Sequence, residues 1–312
     1  MPCQISKKEN SPDAIRLVRA FRQGHRVAKG VGKKQLALSL SAIVLGVAAD
    51  RWAPNMKAWI ALYGIAVALF DTAFLEANGK KAQESAALIQ EEFDSLVLEL
   101  PWSKKSRPDP ETVLELAAEY EKSSSKKDTP IADWYPIIVD ALPIERARLI
   151  CQRTNMWWDA SLRHNVWPYY LAGLIALALG ATAWGLAKDL HADALVVVFA
   201  SLVPAALQLL RKLRAHKEAA SESDRAKEHI DQVWARMRRG EMTDSSLGRE
   251  AVPLQEEVYQ RRRTAPEIPE WLYNRKWKKY EERMKAAAKK MVSEALEAAS
   301  SSPAPNTPVD PR

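Results

Sequence analysis

The chain has 312 residues, and its 46 lysines and arginines against 39 aspartates and glutamates give a net charge of +7. This mildly basic balance falls short of the excess that nucleic-acid binding requires, so we expect no direct contact with DNA or RNA. The only two cysteines, Cys3 and Cys151, cannot form a disulfide framework, and the five histidines stand at no metal-binding spacing. The sequence therefore predicts neither a metal site nor a cofactor site.

Four apolar windows without lysine or arginine predict a multi-pass membrane protein. The first two, residues 35–49 and 58–75, flank a turn-forming stretch at 50–55, so they can insert together as a hairpin although the first is short. Asp71 lies inside the second window, near its end. Its carboxylate either lines a pore or reaches the headgroups, and the sequence leaves both interpretations open.

The other two windows, residues 167–187 and 194–210, predict a second hairpin around the short polar linker 188–193. The window 167–187 is the clearest, because its 21 uncharged residues can cross a bilayer without help and carry aromatic residues near both ends. Ala172, Ala176 and Gly180 place small residues at every fourth position. They permit close helix packing, either within the subunit or between subunits of a homo-oligomer.

The distribution of lysine and arginine predicts the orientation in the membrane. Basic residues are concentrated in residues 1–34 and directly after residue 210, so both termini are expected on the cytoplasmic side of a bacterial inner membrane. In the N-terminal segment Ile15, Val18 and Phe21 recur at helical spacing. This segment is either an amphipathic helix on the inner leaflet or a plain topology signal.

These patterns predict an all-α protein with four transmembrane helices in two hairpins, and the regions outside the membrane also read as helix. The predicted order is a basic N-terminal segment (1–34), a first hairpin (35–75), a cytoplasmic helical insert (76–166), a second hairpin (167–210), a helical stalk and tail (211–299) and a disordered tail (300–312).

The segment 144–164 carries two parallel stripes at helical spacing. Residues 147, 151, 154, 158 and 162 form a small-to-apolar stripe, and residues 148, 152, 155, 159 and 163 form a polar one. The polar stripe either contacts a ligand or pairs this helix with another, and pairing is the simpler interpretation. No helix breaker precedes Pro168, so this helix is expected to continue into the third span.

No catalytic motif is present, and we expect no enzyme. The segment Gly30–Val–Gly–Lys–Lys34 departs from a phosphate-binding loop in its spacing, and Lys34 stands where serine or threonine is required. Cys151 belongs to the packing stripe and has no histidine at a motif spacing, which indicates a buried small residue rather than a nucleophile.

Five separated sequence motifs, taken in order, resemble those of the SMODS-and-SLOG-associating four-transmembrane effector family of bacteria. They are Leu98-Glu-Leu-Pro-Trp102, Arg107-Pro-Asp-Pro110, Asp133-Trp-Tyr-Pro136, Arg148-Leu-Ile-Cys-Gln-Arg-Thr-Asn155 with Trp157-Trp-Asp159, and Pro269-Glu-Trp-Leu-Tyr-Asn274. The likeness extends from the first hairpin to about residue 284 and is weak in the N-terminal segment. It implies a membrane-damaging effector of anti-phage defence, activated by a cyclic oligonucleotide or related nucleotide signal.

With that implication, the polar stripe and nearby tryptophans become the candidate nucleotide-sensing residues. They are Arg148, Gln152, Arg153, Asn155 and Arg163, with Trp102 or Trp134 for base stacking. The alternative is a membrane scaffold that recruits a partner protein through its cytoplasmic helices. A transporter is disfavoured, because the four short spans hold one internal carboxylate and no inverted pair of broken helices.

Overall fold

The computed structural model describes residues 2–52, 54–124, 128–189 and 191–301. In these ranges all regular structure is helical. The helices are α1 (Ile5–Glu9), α2 (Pro12–Trp52), α3 (Lys57–Phe70), α4 (Glu76–Val97), α5 (Pro110–Ser123), α6 (Ile144–Ala187), α7 (Ala192–Arg238), α8 (Asp244–Thr264) and α9 (Glu270–Ser301). A π-helical turn at Asp71–Leu75 joins α3 to α4, and short 3-10 turns lie at Pro54–Met56 and Ile137–Ala141.

Two long helical hairpins organise the chain. The first pairs α2 with α3 and α4, and the second pairs α6 with α7. The prediction that the helix from Ile144 continues past Pro168 into the apolar window 167–187 is confirmed, because α6 runs unbroken from Ile144 to Ala187. The α7 helix likewise continues from the fourth window to Arg238 and ends before Gly240, whose positive φ of 75° suits glycine.

One end of both hairpins joins α1, α5, α8 and α9 in a compact unit, which we call the helical body (residues 2–30, 80–165 and 211–299). Within it α2 packs on α4 and α5, while α8 packs on both α4 and α6. The core contains a cluster of perpendicular rings in which Phe21 lies 5.9 Å from Phe93 and 5.2 Å from Trp134. The body therefore combines all the segments that the sequence places outside the membrane.

Of the two predicted roles of the N-terminal segment, the amphipathic helix on the inner leaflet is wrong, and the topology signal stays a prediction. Val18 and Phe21 are fully buried in the core, because α2 uses this face to pack on α4 and α5. A face buried in protein is not available to the inner leaflet. The amphipathic spacing was therefore a correct sign of a buried face, but its partner is the rest of the body and not lipid.

The other end of each hairpin exposes apolar side chains. Most of the large hydrophobic residues on the surface lie in residues 36–74 and 169–207, which we call the hairpin tips. In the described part of the chain, α6 is the one helix long and apolar enough to cross a membrane, and only 11% of its apolar window is buried. The exposure of that window distinguishes it from the core helix of a soluble protein.

Several predicted features fall at the limits of the description. The disordered tail lies outside the described residues except for Ser300 and Ser301, which end α9. Residues 125–127 of the predicted insert, Ala53 of the first hairpin turn and Leu190 of the second linker also lie outside. The predicted stalk and tail is helical as expected, since it contains the end of α7, α8, which continues through Pro253, and α9, which begins at Glu270.

Candidate functional site

The helical body contains a cavity of about 370 Å³ between α2, α4, α6, α8 and the start of α9. Its wall combines basic and aromatic side chains. The basic ones include Arg22, Arg26, Lys29, Arg163, Arg261 and Arg262, and the aromatic ones include Tyr120, Trp134, Trp158, Tyr273 and Trp277. This volume lies in the range of small-molecule binding sites.

Two arginines of α2 fix the loop that closes one side of the cavity. Arg22 donates hydrogen bonds to the carbonyl oxygens of Thr129 (2.7 Å) and Pro130 (2.6 Å), and its guanidinium lies 5.4 Å from the centre of the Trp134 ring. Arg26 lies over the ring of Tyr120 at 4.7 Å. These contacts hold residues 128–134 against α2 and present the indole of Trp134 at the cavity wall.

On the opposite wall, two hydrogen-bond donors have no acceptor within the described residues. They are Nε1 of Trp158 and Nε of Arg261, and both atoms are buried. Arg261 reaches Glu222 through its Nη1 atom at 3.1 Å, and burial lowers its pKa. A buried donor without an acceptor costs free energy, so both atoms favour a ligand that brings acceptor oxygens or nitrogens.

Two acidic residues of the wall, Asp159 and Glu267, are held as ions by their neighbours. Burial raises the pKa of Asp159, but the charge and hydrogen bond of Arg163 outweigh this effect and the net pKa is lowered. Burial likewise raises the pKa of Glu267, yet the neighbouring His25, 2.6 Å away, and Lys29 lower it overall. The cavity wall is thus a set of compensated charges rather than a strongly cationic surface.

A buried polar network supports the floor of the cavity. Asp94 of α4 accepts hydrogen bonds from the Tyr135 hydroxyl (2.7 Å) and from Gln255 of α8 (2.9 Å), and it forms an ion pair with Arg262. Glu91 lies in the same network, where burial and the nearby Asp94 raise its pKa to about 7. Because every helix of the floor contributes a partner, the network fixes the positions of α4, α6 and α8 relative to one another.

Three of the predicted ligand residues line the cavity, namely Asn155, Arg163 and Trp134. Asn155 donates to the Tyr135 hydroxyl at 3.1 Å, and so it also belongs to the floor network. Arg163 is only 4% exposed and donates to Asp159 (2.7 Å) and to the carbonyl oxygen of Pro266 (2.9 Å). Its guanidinium therefore connects α6 to the segment that leads into α9.

The other four predicted residues lie outside the cavity, and three of them, Arg148, Gln152 and Arg153, hold helices together. Arg148 donates to the carbonyl oxygens of Leu98 and Glu99 at the end of α4, and Gln152 donates to the carbonyl oxygen of Ala251. Arg153 pairs with Asp231, and Trp102 lies under the guanidinium of Arg107. The spacing that grouped the stripe specifies a helix face, but it does not specify which part of that face meets a cavity.

Sequence reasoning missed the residues that shape most of the cavity wall. Arg22 was counted only among the basic residues of the N-terminal segment, Trp158 was placed on the packing stripe, and Arg261 was not singled out. The three residues come from α2, α6 and α8, so only the tertiary structure brings them together. Cys151, in contrast, is fully buried as predicted, and burial raises its pKa well above the ordinary value.

Asp71 occupies a separate position in the first hairpin tip. It is the first residue of the π-helical turn between α3 and α4, and its Oδ1 atom is buried without a hydrogen-bond donor in the described part of the chain. Single π-helical turns are frequent at functional sites. The pore and headgroup interpretations of Asp71 both stay predictions.

Comparison with known families gives one match across nearly the whole chain. A family model described as the SMODS-associating 4TM effector domain matches residues 3–291. No curated protein and no solved structure matches the chain. The match includes the N-terminal segment, where the sequence motifs showed little likeness to the family.

Proposed function

Because the chain belongs to the SMODS-associating 4TM effector domain family, we propose that it is a membrane-disrupting effector of a bacterial anti-phage signalling system. In this proposal a nucleotide second messenger binds the helical body, and the hairpins then damage the inner membrane and arrest growth. All four apolar windows span the membrane, and both termini lie in the cytoplasm. The action is physical rather than catalytic.

One observation carries this proposal: the cavity and the exposed apolar surfaces lie on the same unbroken helices. In α2, Arg22 and Arg26 line the cavity, and Leu36 and Leu40 are exposed further along the same helix. In α6, Trp158 lines the cavity while Leu179 is exposed. A rigid helix that contacts a ligand at one end transmits any tilt or shift to its other end.

The chemistry of the cavity suits a nucleotide. The rings of Trp134, Trp158 and Tyr273 offer faces on which a base can stack, and Trp158 is only 6.2 Å from Tyr273. The free N–H groups of Trp158 and Arg261 are donors for the acceptor atoms of a base or a phosphate. Lys29, which lies on the α2 side of the wall, adds a positive charge.

The contacts of the two hairpins allow their tips to move relative to each other. In the described residues α3 packs mainly against α2, and the direct contact between the two hairpins is a small one between α2 and α7. On α6 the small residues Ala172, Ala176 and Gly180 are exposed, and a Cβ atom built on Gly180 would meet no atom of the described residues within 4 Å. We propose that ligand binding reorients the tips and that this small-residue face then packs against a second subunit.

The experiment is dye leakage from liposomes that contain the purified protein, with a panel of cyclic dinucleotides and trinucleotides. We expect one member of the panel to trigger leakage. Trp158→Phe removes the free indole N–H but keeps the ring, and Arg261→Lys keeps the charge but removes Nε–H. Each is expected to raise the ligand concentration for half-maximal leakage about tenfold, because each lost hydrogen bond to a charged or polar ligand contributes about 1.4 kcal/mol.

Two matched variants serve as controls. Trp157→Phe changes the neighbouring indole, which does not line the cavity, and Arg263→Lys changes an arginine of α8 whose Nε is likewise buried without an acceptor but which lies outside the cavity. Both are expected to respond like the wild type. Equal effects in all four variants would contradict the proposal that the cavity is the receptor. If the inserted protein causes no leakage with any nucleotide of the panel, the result favours the membrane scaffold.

A further inference from the structure

The start of α9 lies beside the start of the third predicted span. The ring of Trp271, in the first turn of α9, is perpendicular to the ring of Tyr169 of α6, with centroids 5.0 Å apart. Both side chains are 51% exposed. Half-exposed tryptophan and tyrosine rings at the end of an apolar span are typical of the membrane–water interface.

A row of cations continues from Trp271 along the same face of α9. Arg275, Lys278 and Lys279 follow at steps of four, seven and eight residues, which places them on one side of a helix. All three are exposed, and in the described part of the chain none of them has a carboxylate partner. Glu282 is the first acidic residue on this face, one turn further from Trp271.

The absence of carboxylate partners contrasts with the largely buried arginines of the helical body. There, arginines such as Arg153, Arg163 and Arg262 each form an ion pair with an aspartate. Cations that the fold leaves unpaired and exposed are fully available to an external anion. Since they lie within about 12 Å of Trp271 along α9, a flexible basic side chain can reach the headgroup region from there.

Other long helices carry similar cations where their exposed apolar residues end. Lys33 and Lys34 precede the exposed Leu36 of α2, and Arg211 follows the exposed Leu207 of α7. The α6 helix is different, because it contains no lysine or arginine between residues 164 and 187. The α9 cations supply positive charge on the side where α6 has none.

We propose that Trp271, Arg275, Lys278 and Lys279 of α9, together with Tyr169, form a binding surface for anionic phospholipid headgroups. The two rings lie at headgroup depth, and the three cations contact lipid phosphates. This inference rests on the proposed function, since it requires that α6 spans the bilayer.

The surface also gives α9 a position between ligand and lipid. Tyr273 and Trp277, on another side of the same turns, line the cavity. A ligand that moves these residues therefore also moves the lipid-binding face, because both faces belong to one rigid helix segment. Lipid contact by α9 fixes the cavity wall relative to the bilayer, against which α6 can then tilt.

The test uses the full-length protein in nanodiscs that contain spin-labelled phosphatidylglycerol or spin-labelled phosphatidylcholine. Electron paramagnetic resonance measures the motionally restricted fraction of each lipid, and their ratio gives the preference for the anionic headgroup. The triple variant Arg275→Gln/Lys278→Gln/Lys279→Gln is expected to lower this preference at least about threefold at 50 mM salt. The effect should shrink at 500 mM salt, where exposed charges are screened.

The matched control is Arg283→Gln/Lys289→Gln/Lys290→Gln. It removes the same charge from exposed positions of the same helix, about 18–29 Å from Trp271. This control is expected to keep the wild-type preference, and equal loss in both triple variants would overturn the proposal. Thermal unfolding of both variants in detergent checks that the fold is retained.

The same measurement separates the two ways to fail. If neither lipid is motionally restricted, the chain does not span the bilayer, and the proposed function fails with it. If lipids are restricted but the α9 variant keeps the wild-type preference, only the headgroup surface is wrong. If inorganic phosphate at equal ionic strength abolishes the preference, the surface binds free phosphate rather than lipid, which also overturns the proposal.

Discussion

In the helical body, Asp94 is 0% exposed and accepts hydrogen bonds from three side chains, one in the loop at Tyr135 and two on α8, whereas in the hairpin tips Leu179 and Leu186 stand 66% and 78% exposed. Each arrangement is costly in the surroundings of the other. A buried charge is tolerated only with its partners, and an exposed apolar surface of this size is tolerated only in contact with lipid or protein. The helical body is thus suited to water, and the hairpin tips are suited to contact with lipid or protein.

The contrast extends to the way that helices meet. In the body, Gly24 of α2 lies so close to α4 that a Cβ atom built on it would be 2.8 Å from the Cβ of Ala86. In the second tip, a Cβ atom on Gly180 would have no neighbour within 4 Å among the described residues. The contact of α2 with α4 at Gly24 therefore has no room for a larger residue, whereas the surface at Gly180 is open to lipid or to a second subunit.

The largest effect is expected from breaking the polar network of the body. Asp94→Ala leaves the guanidinium of Arg262 buried without its counter-ion, and the Tyr135 hydroxyl and Gln255 lose an acceptor. We expect the free energy of unfolding to fall by about 3–5 kcal/mol, measured by denaturant unfolding in detergent. Glu92→Ala removes the partner of the exposed Arg107 and should cost less than about 1 kcal/mol.

A second test places the same substitution in the two regions. Leu179→Arg in the tip is expected to disfavour membrane insertion of the second hairpin by about 3 kcal/mol, because an arginine must then enter the bilayer. Leu114→Arg on α5 changes a residue of the body that is 55% exposed and should alter stability by less than about 0.5 kcal/mol. A translation–insertion assay that scores the membrane-integrated fraction measures the first, and thermal unfolding measures the second. If Leu179→Arg is integrated into the membrane as well as Leu114→Arg is, the hairpin tip lies in water and not in the bilayer.

Substitution of Gly24 and of Gly180 by alanine is expected to have a smaller effect on the free energy of unfolding. Gly24→Ala forces α2 and α4 apart at a rigid contact, and we expect a loss of about 1–3 kcal/mol in the free energy of unfolding. Gly180→Ala should leave the unfolding of the subunit unchanged. If the face of Gly180 packs against a second subunit, the added methyl group shifts the oligomer distribution, which crosslinking in liposomes detects. A stability loss from Gly180→Ala equal to that from Gly24→Ala would erase the distinction.

The smallest effect concerns pH. Burial raises the pKa of Glu9 from about 4.5 to about 8, so the folded body holds a proton there that the unfolded chain releases. The stability from this proton is complete below pH 4.5 and is lost as the pH rises through about 8, by up to about 1.4 kcal/mol per pH unit. Wild-type protein should therefore lose more stability than Glu9→Gln between pH 6.5 and 8.5.

The choice of this pH window removes one competing contribution. Burial lowers the pKa of His216 from 6.5 to about 3, and the stability linked to that group rises only between pH 3 and 6.5. Thermal unfolding of both proteins across the window measures the difference. Parallel curves for wild type and Glu9→Gln would show that Glu9 is ionised in the folded body.

Much of the fold could be predicted from periodicity. The helix from Ile144, its continuation through Pro168, the burial of Ala147 and Cys151 and the end of α7 before Gly240 all follow from local rules about spacing and helix ends. The family could also be identified from the sequence, because the five short motifs occur in a fixed order, and the family match confirms it. Local rules do not report which face of one helix meets which face of another.

The candidate site shows where that limit lies. Asn155 and Arg163 were predicted from the polar stripe and line the cavity, yet Arg148 of the same stripe bonds to the end of α4 and Gln152 bonds to the middle of α8. The stripe is about 24 Å long, and the cavity meets only part of it. Side chains of one helical face therefore have different roles because different neighbours pack against successive turns.

The sequence by itself determined that the chain is helical, that it has apolar segments suited to a bilayer, and that it belongs to a family of membrane effectors, because these properties depend on the order and spacing of residues. Only the tertiary structure decided that the basic N-terminal segment is buried in the body, that Arg22, Trp158 and Arg261 meet around one cavity, and that Trp271 of α9 lies against Tyr169. Contacts between residues more than a hundred positions apart depend on how whole helices pack, and packing is a property of the complete set of surfaces.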